Sequence, residues 1–283
     1  MKPLIALLLA CLSWPLGAAG FPDARGQYPF GVLNQRSLTL TAAYWNPILR
    51  YVSAKSGVPL VLRIARTADE TTDMAVRGEL AFVYSNHFFA PPRDRLGFRV
   101  LARQAGEGIR GQVVVLDDAP YTSLDALAGR PVAFANPYAM TGYYVPMDGL
   151  LRAGVTVRPV FAGNQEAAMA QLRLGKVAAA GVNDKVMANY SRRENLRYRV
   201  LYESEPYLDL AIMAHPTVPD AIAASVRAAF VGMAADPEGR RVLDAAAASI
   251  GAASAPGFVA AANADYDNYR RFFRHTRVPL DGR

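Results

Sequence analysis

The polar groups of this 283-residue chain that could do chemistry gather in loops that follow short apolar runs. Phe30-Gly31-Val32-Leu33 breaks into Asn34-Gln35-Arg36-Ser37. Pro131-Val132-Ala133-Phe134 is followed by the loop from Asn136 through Tyr138 to Thr141-Gly142, and Val157-Arg158-Pro159-Val160-Phe161 by Ala162-Gly163-Asn164-Gln165. Each loop then opens onto a helix-forming stretch. In an open α/β sheet such loops sit at the carboxyl ends of the strands, where ligands bind. The free N–H groups and positive dipole end of the following helix favour an anion there. The chemistry on offer is recognition of a small, negatively charged molecule.

Individual candidates each carry a plainer alternative. Thr141 and Gly142 either touch the ligand or simply start a helix. Gln165 is a ligand contact or a cap, and its amide can both donate and accept. Tyr138 either walls the pocket or packs the structure. Asn183, at the end of a small-residue run, reaches the cleft or satisfies loop backbone. Tyr84 and Asn86 follow a strand end: Tyr84 divides between core and cleft, and Asn86 and His87 line the opening, His87 being more readily a structural hydrogen-bonding residue. Arg110 is the sharpest anion partner, since guanidinium binds carboxylate or phosphate bidentately; its alternative is a surface arginine beside Glu107. Arg36 ranks below it. Asp209 fits an anion pocket only if it accepts from a proton-bearing oxygen or an amine; otherwise it pairs with Arg110.

Catalytic signatures are lacking. There is no Gly-x-Ser-x-Gly elbow and no His-Glu-x-x-His helix, and His87, His215 and His275 show no metal-ligand spacing. The sequence therefore predicts binding without turnover, with no cofactor and no metal. Met1-Lys2, the apolar run from Leu4 and the small residues Gly17-Ala18-Ala19 predict an export leader over 1–19, too short to span a membrane. Leu8-Leu9-Ala10-Cys11 also reads as a lipoprotein box with Cys11 acylated. Either way the expected destination is the periplasm. Cleavage near Ala19 removes the only cysteine and with it disulfide and thiol chemistry. The net charge of +7 comes from scattered arginines, a distribution that argues against nucleic acid.

The elements that must position these residues alternate as strand, loop and helix, an α/β pattern. Strands are expected over 28–33, 60–64, 80–84, 98–103, 112–116, 131–134, 157–161, 177–182, 199–202 and 207–213. Helices are expected over 42–55 with Thr39 or Thr41 as cap, 70–77, 124–127 capped by Ser123, 147–153, 166–174, 221–234, 240–248 and 266–273. A change of region at Asp117-Asp118-Ala119-Pro120 divides the chain into a first lobe, 20–117 with 207–283, and a second lobe, 118–206. Two segments crossing between lobes make a hinge that can close on a ligand.

The pieces Phe30 to Ser37, Trp45-Asn46-Pro47-Ile48-Leu49 at a helix start, Met74 through Gly78 to Tyr84, Pro137 to Tyr143 with Val145-Pro146, Asn164-Gln165-Glu166, and Asp209 after Ser204-Glu205-Pro206 keep a shared order and spacing. They resemble the phosphate/phosphite/phosphonate family of substrate-binding proteins of ABC importers. The resemblance implies a two-lobed periplasmic-binding-protein fold of type II. It also implies an oxyanion ligand and delivery to a membrane permease by a monomer. A partnership with a membrane histidine kinase would need the same pocket. The family's pocket positions are altered here. Thr67 and Arg110 stand where relatives place tyrosines, and Ala139-Met140-Thr141-Gly142 replaces a hydroxyl-rich loop. Gln165 replaces a histidine and Lys185 a carboxylate, whereas Asp209 is retained.

Overall fold

The computed structural model describes residues 20–253 and 255–280; the expected leader, with Cys11, lies outside them. The elements run β1 (Tyr28–Val32), α1 (Leu38–Ser56), β2 (Leu60–Arg63), α2 (Ala68–Val76), β3 (Phe82–Ser85), α3 (Pro91–Asp94) and β4 (Arg99–Gln104). After a first crossing come β5 (Gly111–Leu116), β6 (Pro131–Phe134), α4 (Val145–Arg152), β7 (Arg158–Phe161), α5 (Gln165–Arg173), β8 (Ala179–Asn183), α6 (Asp184–Glu194) and β9 (Tyr198–Glu203). A second crossing leads to β10 (Ala211–Ala214), α7 (Asp220–Gly232), α8 (Pro237–Ser249), β11 (Phe258–Ala260) and α9 (Asp267–His275).

The strands form two mixed sheets. One has the order β11-β4-β10-β3-β1-β2 and the other β7-β6-β8-β5-β9. Each sheet has a parallel core: β1 pairs in parallel with β2 and β3, and β6 with β7 and β8. This confirms a two-lobed α/β architecture. The boundary moves, however. β5 pairs with β8 and β9 of the second sheet, so the first crossing ends before Gly111 and not at 117. An apolar strand reads identically in either sheet; only its partners assign it.

The crossing segments pair with each other. Ile109 and Tyr207 exchange backbone hydrogen bonds of 2.7 and 2.8 Å, forming an isolated antiparallel bridge. The expected strand over 207–213 is thus half crossing segment, with strand proper only from Ala211. The chain's end crosses too. Asp148 in α4 accepts from Thr276 Oγ1 at 3.1 Å and from the Arg277 amide at 2.6 Å, and Phe273 packs edge-on against Tyr144. The last residues of the expected first lobe therefore lean on the second. One apolar cluster, which includes Val83, Phe89, Val113, Phe134 and Tyr269, runs through both lobes on this side.

Local chemistry explains most element limits. Ser37, not Thr39 or Thr41, caps α1: its Oγ accepts from the Leu40 amide at 3.3 Å. The helix therefore starts earlier than expected and carries Pro47 in its interior, not at its start. Gly57 ends it in the left-handed conformation that glycine tolerates best. The expected helix over 124–127 is a single 3₁₀ turn, Asp125–Leu127, with no side-chain cap from Ser123. Helix α6 was hidden, because within it only Val186, Met187 and Tyr190 are buried apolar residues.

Gly108, in the first crossing, has φ +101° and lies so close to the second that a Cβ would sit 2.3 Å from the Tyr207 carbonyl oxygen. Gly108→Ala is expected to lower stability by about 1–3 kcal/mol through strain and backbone displacement. The urea-unfolding midpoint measures it.

Candidate functional site

A cavity of about 470 Å³ lies where the crossings, the β1 and β3 loops and the start of α6 meet. Its wall from the first lobe includes Gln35, Arg36, Thr41, Tyr44, Trp45 and Tyr84, together with Ile250, Ala252 and Pro256 beyond α8. Gln104 to Arg110, Pro206 and Asp209 form the side of the crossings, and Asn183 to Val186 with Asn189 and Arg192 the second-lobe side. Contacts between lobes ring this space. The Glu166 amide donates to the Gln35 carbonyl at 3.0 Å, and the Ser37 amide to Glu166 Oε2 at 3.3 Å. At the other end Arg192 Nη1 donates to the Gly251 carbonyl at 2.6 Å.

Arg36 is the cation that stands out. Its Nε is buried without a hydrogen-bond partner among the described residues. Burial lowers its pKa, while Glu166, then Tyr44 and Tyr84, act in the opposite direction. Arg110, which the sequence favours, is already engaged. Its Nη1 donates to the Ser204 carbonyl at 2.8 Å and its Nε lies 3.7 Å from Glu203 Oε1, so it staples the two crossing segments. Spacing ranks these arginines by residue type, but their rank as anion partners depends on which guanidinium the fold leaves unpaired.

Two phenols accompany Arg36. Burial raises the pKa of Tyr44 to about 12, and burial followed by the Asp209 charge raises that of Tyr84 well above its usual value. Both remain protonated donors. The Tyr44 hydroxyl accepts from Gln104 Nε2 at 3.2 Å, leaving its own proton to give. Trp45 stacks obliquely on Tyr84 with centroids 4.7 Å apart, fixing that ring from behind. Guanidinium and phenol donors on an aromatic wall can hold an oxyanion.

The expected site residues divide into two groups. Tyr84, Arg110, Asn183 and Asp209 line the cavity. Asp209 does not pair with Arg110. Its Oδ2 lies 3.5 Å from Lys185 Nζ and its Oδ1 accepts from the Leu210 amide at 2.8 Å. Asn183 caps α6, its Oδ1 accepting from the Val186 amide at 3.1 Å, and its Nδ2 donates to Thr141 Oγ1 at 3.3 Å.

Thr67, Asn86, Tyr138, Thr141, Gly142 and Gln165 lie outside the cavity wall. Thr67 caps α2 in a reciprocal box with Glu70. Asn86 Nδ2 donates to the Tyr269 hydroxyl at 3.4 Å. Thr141 and Gly142 do not start a helix by capping; they sit inside a wide π-type turn, Met140–Tyr144, that runs into α4. Gly142 is closely surrounded there: a Cβ would lie 3.1 Å from the Ala135 Cβ and 3.2 Å from Gln165 Nε2. The α5 cap is Asn164, and Gln165 Oε1 instead accepts from the Asn183 amide at 2.5 Å. Thr141 and Gln165 are thus engaged within the second lobe, and Thr67 and Asn86 within the first.

Tyr138 marks a separate junction between the lobes, with the Arg93 guanidinium 4.4 Å from its ring centroid and His87 edge-on at 6.0 Å. His87 Nδ1 meets Thr72 Oγ1 at 2.8 Å, and burial with the Arg93 charge holds its pKa well below the ordinary imidazole value. Nearby Asp69 has its pKa raised to about 6 by burial and by Asp73, against the opposing pull of Arg93. Among the described residues no group of histidine, cysteine, aspartate and glutamate is arranged to hold a metal ion. No described helix is long and apolar enough to cross a membrane.

The family described as "ABC transporter, phosphonate, periplasmic substrate-binding protein" matches residues 30–266. PhnD1 from Prochlorococcus marinus, solved with methylphosphonate, superposes with TM-score 0.73 at 15% identity, covering 87% of this chain and 97% of that one. A binding-protein component of an ABC phosphonate transporter from Pseudomonas aeruginosa gives 0.71 at 14% identity, covering 89% and 90%. A Xanthomonas citri protein bound to ATP gives 0.66 at 17% identity, covering 87% and 95%. No curated protein matches by sequence.

A carboxyl group whose folded-state pKa lies above its unfolded value favours folding when protonated, and that contribution is lost as pH rises through the folded value. Asp69, at about 6 against an ordinary 3.8, therefore opposes folding at neutral pH. Asp69→Asn is expected to raise the melting temperature at pH 7, with the difference vanishing near pH 4. Melting curves across that range test it.

Proposed function

The chain belongs to the family of periplasmic substrate-binding proteins of phosphonate ABC transporters, and from that premise we propose that it binds a small organic oxyanion in its inter-lobe cleft. The observation that carries this reading is Arg36, a half-buried residue of the cavity wall beside two protonated phenols, whose Nε has no hydrogen-bond partner among the described residues. A partly buried cation that lacks a hydrogen-bond partner is costly, and a bound anion lowers that cost. Methylphosphonate and ATP, the ligands in two of the structural relatives, both present phosphorus-bound oxygens.

The cavity supports an organic body on the anion. At about 470 Å³ it falls within the range for small-molecule sites and exceeds what a bare tetrahedral ion needs. Trp45 and the apolar residues Ile250, Ala252 and Pro256 offer that body a dry surface. Closure works by rotation about the paired crossings, the lobes meeting through Glu166 on Gln35 and Ser37 and through Arg192 on Gly251. The closed form is what a membrane permease would read. The protein binds without turnover, as a monomer, after export with a leader cleaved near Ala19.

Titration calorimetry against alkylphosphonates, phosphite, phosphate and sulfonates tests the reading. At ligand one hundred times the dissociation constant, stability is expected to rise by about 2.7 kcal/mol. Arg36→Ala is expected to weaken the best ligand about 10- to 100-fold, the scale of a lost charged hydrogen bond, while Arg110→Ala has the smaller effect. Silence across the whole panel would refute the proposal.

A further inference from the structure

Three carboxylates line the cavity, and they differ in availability. Glu107 is exposed at the rim. Asp184 accepts from the Arg110 amide at 2.9 Å and starts α6. Asp209 alone is deep, with its side chain 7% exposed. It is also held rigidly, because the Tyr266 hydroxyl donates to its carbonyl at 2.7 Å and the Leu210 amide to its Oδ1. The free oxygen, Oδ2, is the place in this cleft best suited to receive an ammonium group.

An ammonium already sits there. Lys185, from the opposite lobe, brings Nζ to 3.5 Å from that oxygen, with Nζ also close to Gly106 in the first crossing. We propose that Lys185 is a selectivity residue that supplies the pocket's own ammonium to Asp209, so that the cleft takes oxyanions with an apolar organic body and rejects those bearing an amine. The proposal rests on the oxyanion reading above and refines it. A ligand amine entering this cavity would find Asp209 engaged and would face the like charges of Lys185 and Arg36. An alkyl group of the same size meets no such charge conflict and can lie along the aromatic wall. Lys185 is also 39% exposed at its side chain, so its removal would leave a gap at the cavity rather than a hole in the core.

The test is a matched pair, propylphosphonate against 2-aminoethylphosphonate, which have the same number of heavy atoms. The intact chain is expected to bind propylphosphonate at least tenfold more tightly. In Lys185→Ala that preference is expected to vanish or reverse as Asp209 becomes free, and in Lys185→Arg it should persist. The double variant Lys185→Ala/Asp209→Asn should lose the gain for the amine, with circular dichroism confirming that each variant is folded. Equal binding of both compounds to the intact chain, or an unchanged ratio in Lys185→Ala, overturns the selectivity role while leaving the oxyanion reading standing. Binding of neither compound, nor of any other anion in the panel, overturns both.

Discussion

Everything about the cleft depends on a pair of backbone hydrogen bonds between Ile109 and Tyr207, where the two lobe-crossing segments meet. That bridge ties together the two segments that join one sheet to the other. Gly108 lets the segments approach that closely, and Arg110 reaches across to the Ser204 carbonyl to fasten them again. The bridge is a single antiparallel residue pair, with no further ladder between the crossings among the described residues. An apolar cluster that runs through both lobes, reinforced by Phe273 of α9 against Tyr144, adds to their contact.

The charges within the cleft follow from this arrangement. Crossing segments that must stay together consume Arg110 and Glu203, and the lobe junction consumes Glu166 and Arg193, whose ion pair spans 2.8 Å. Arg36 remains as a cation with a buried nitrogen and no hydrogen-bond partner among the described residues. Burial strengthens any pairing it makes, since water no longer screens the charge. The phenols beside it stay protonated for the same reason, so one physical cause prepares both kinds of donor.

The polar loops after β6 and β7, which look from their composition like ligand loops, turn inward instead. Thr141, Gln165 and Asn183 satisfy one another within the second lobe, and the α5 amide of Glu166 is taken by a protein carbonyl. A helix start is a good anion site only while its amides are free. Here the partners come from the protein itself, and the cavity lies toward α6 and the crossing segments.

Several features were legible from the chain alone. Alternating apolar runs and loops announced two α/β lobes, and strand limits such as Pro131–Phe134 followed directly from apolar runs and their punctuating residues. The ordered pieces from Phe30 to Asp209 announced the family, because shared order and spacing survive where identity has fallen to 15%. Helix α6 was missed, its few apolar residues making too weak a stripe, and β5 was put in the wrong lobe. Sequence by itself thus determined the class of fold, the family and the supply of donors, since these depend on local pattern and residue chemistry. Only tertiary structure decided which donors stay free, placing Arg36 and Lys185 in the cavity and removing Thr141 and Gln165 from it. Pairing is a matter of which distant groups are brought within bonding distance, and no local pattern encodes that.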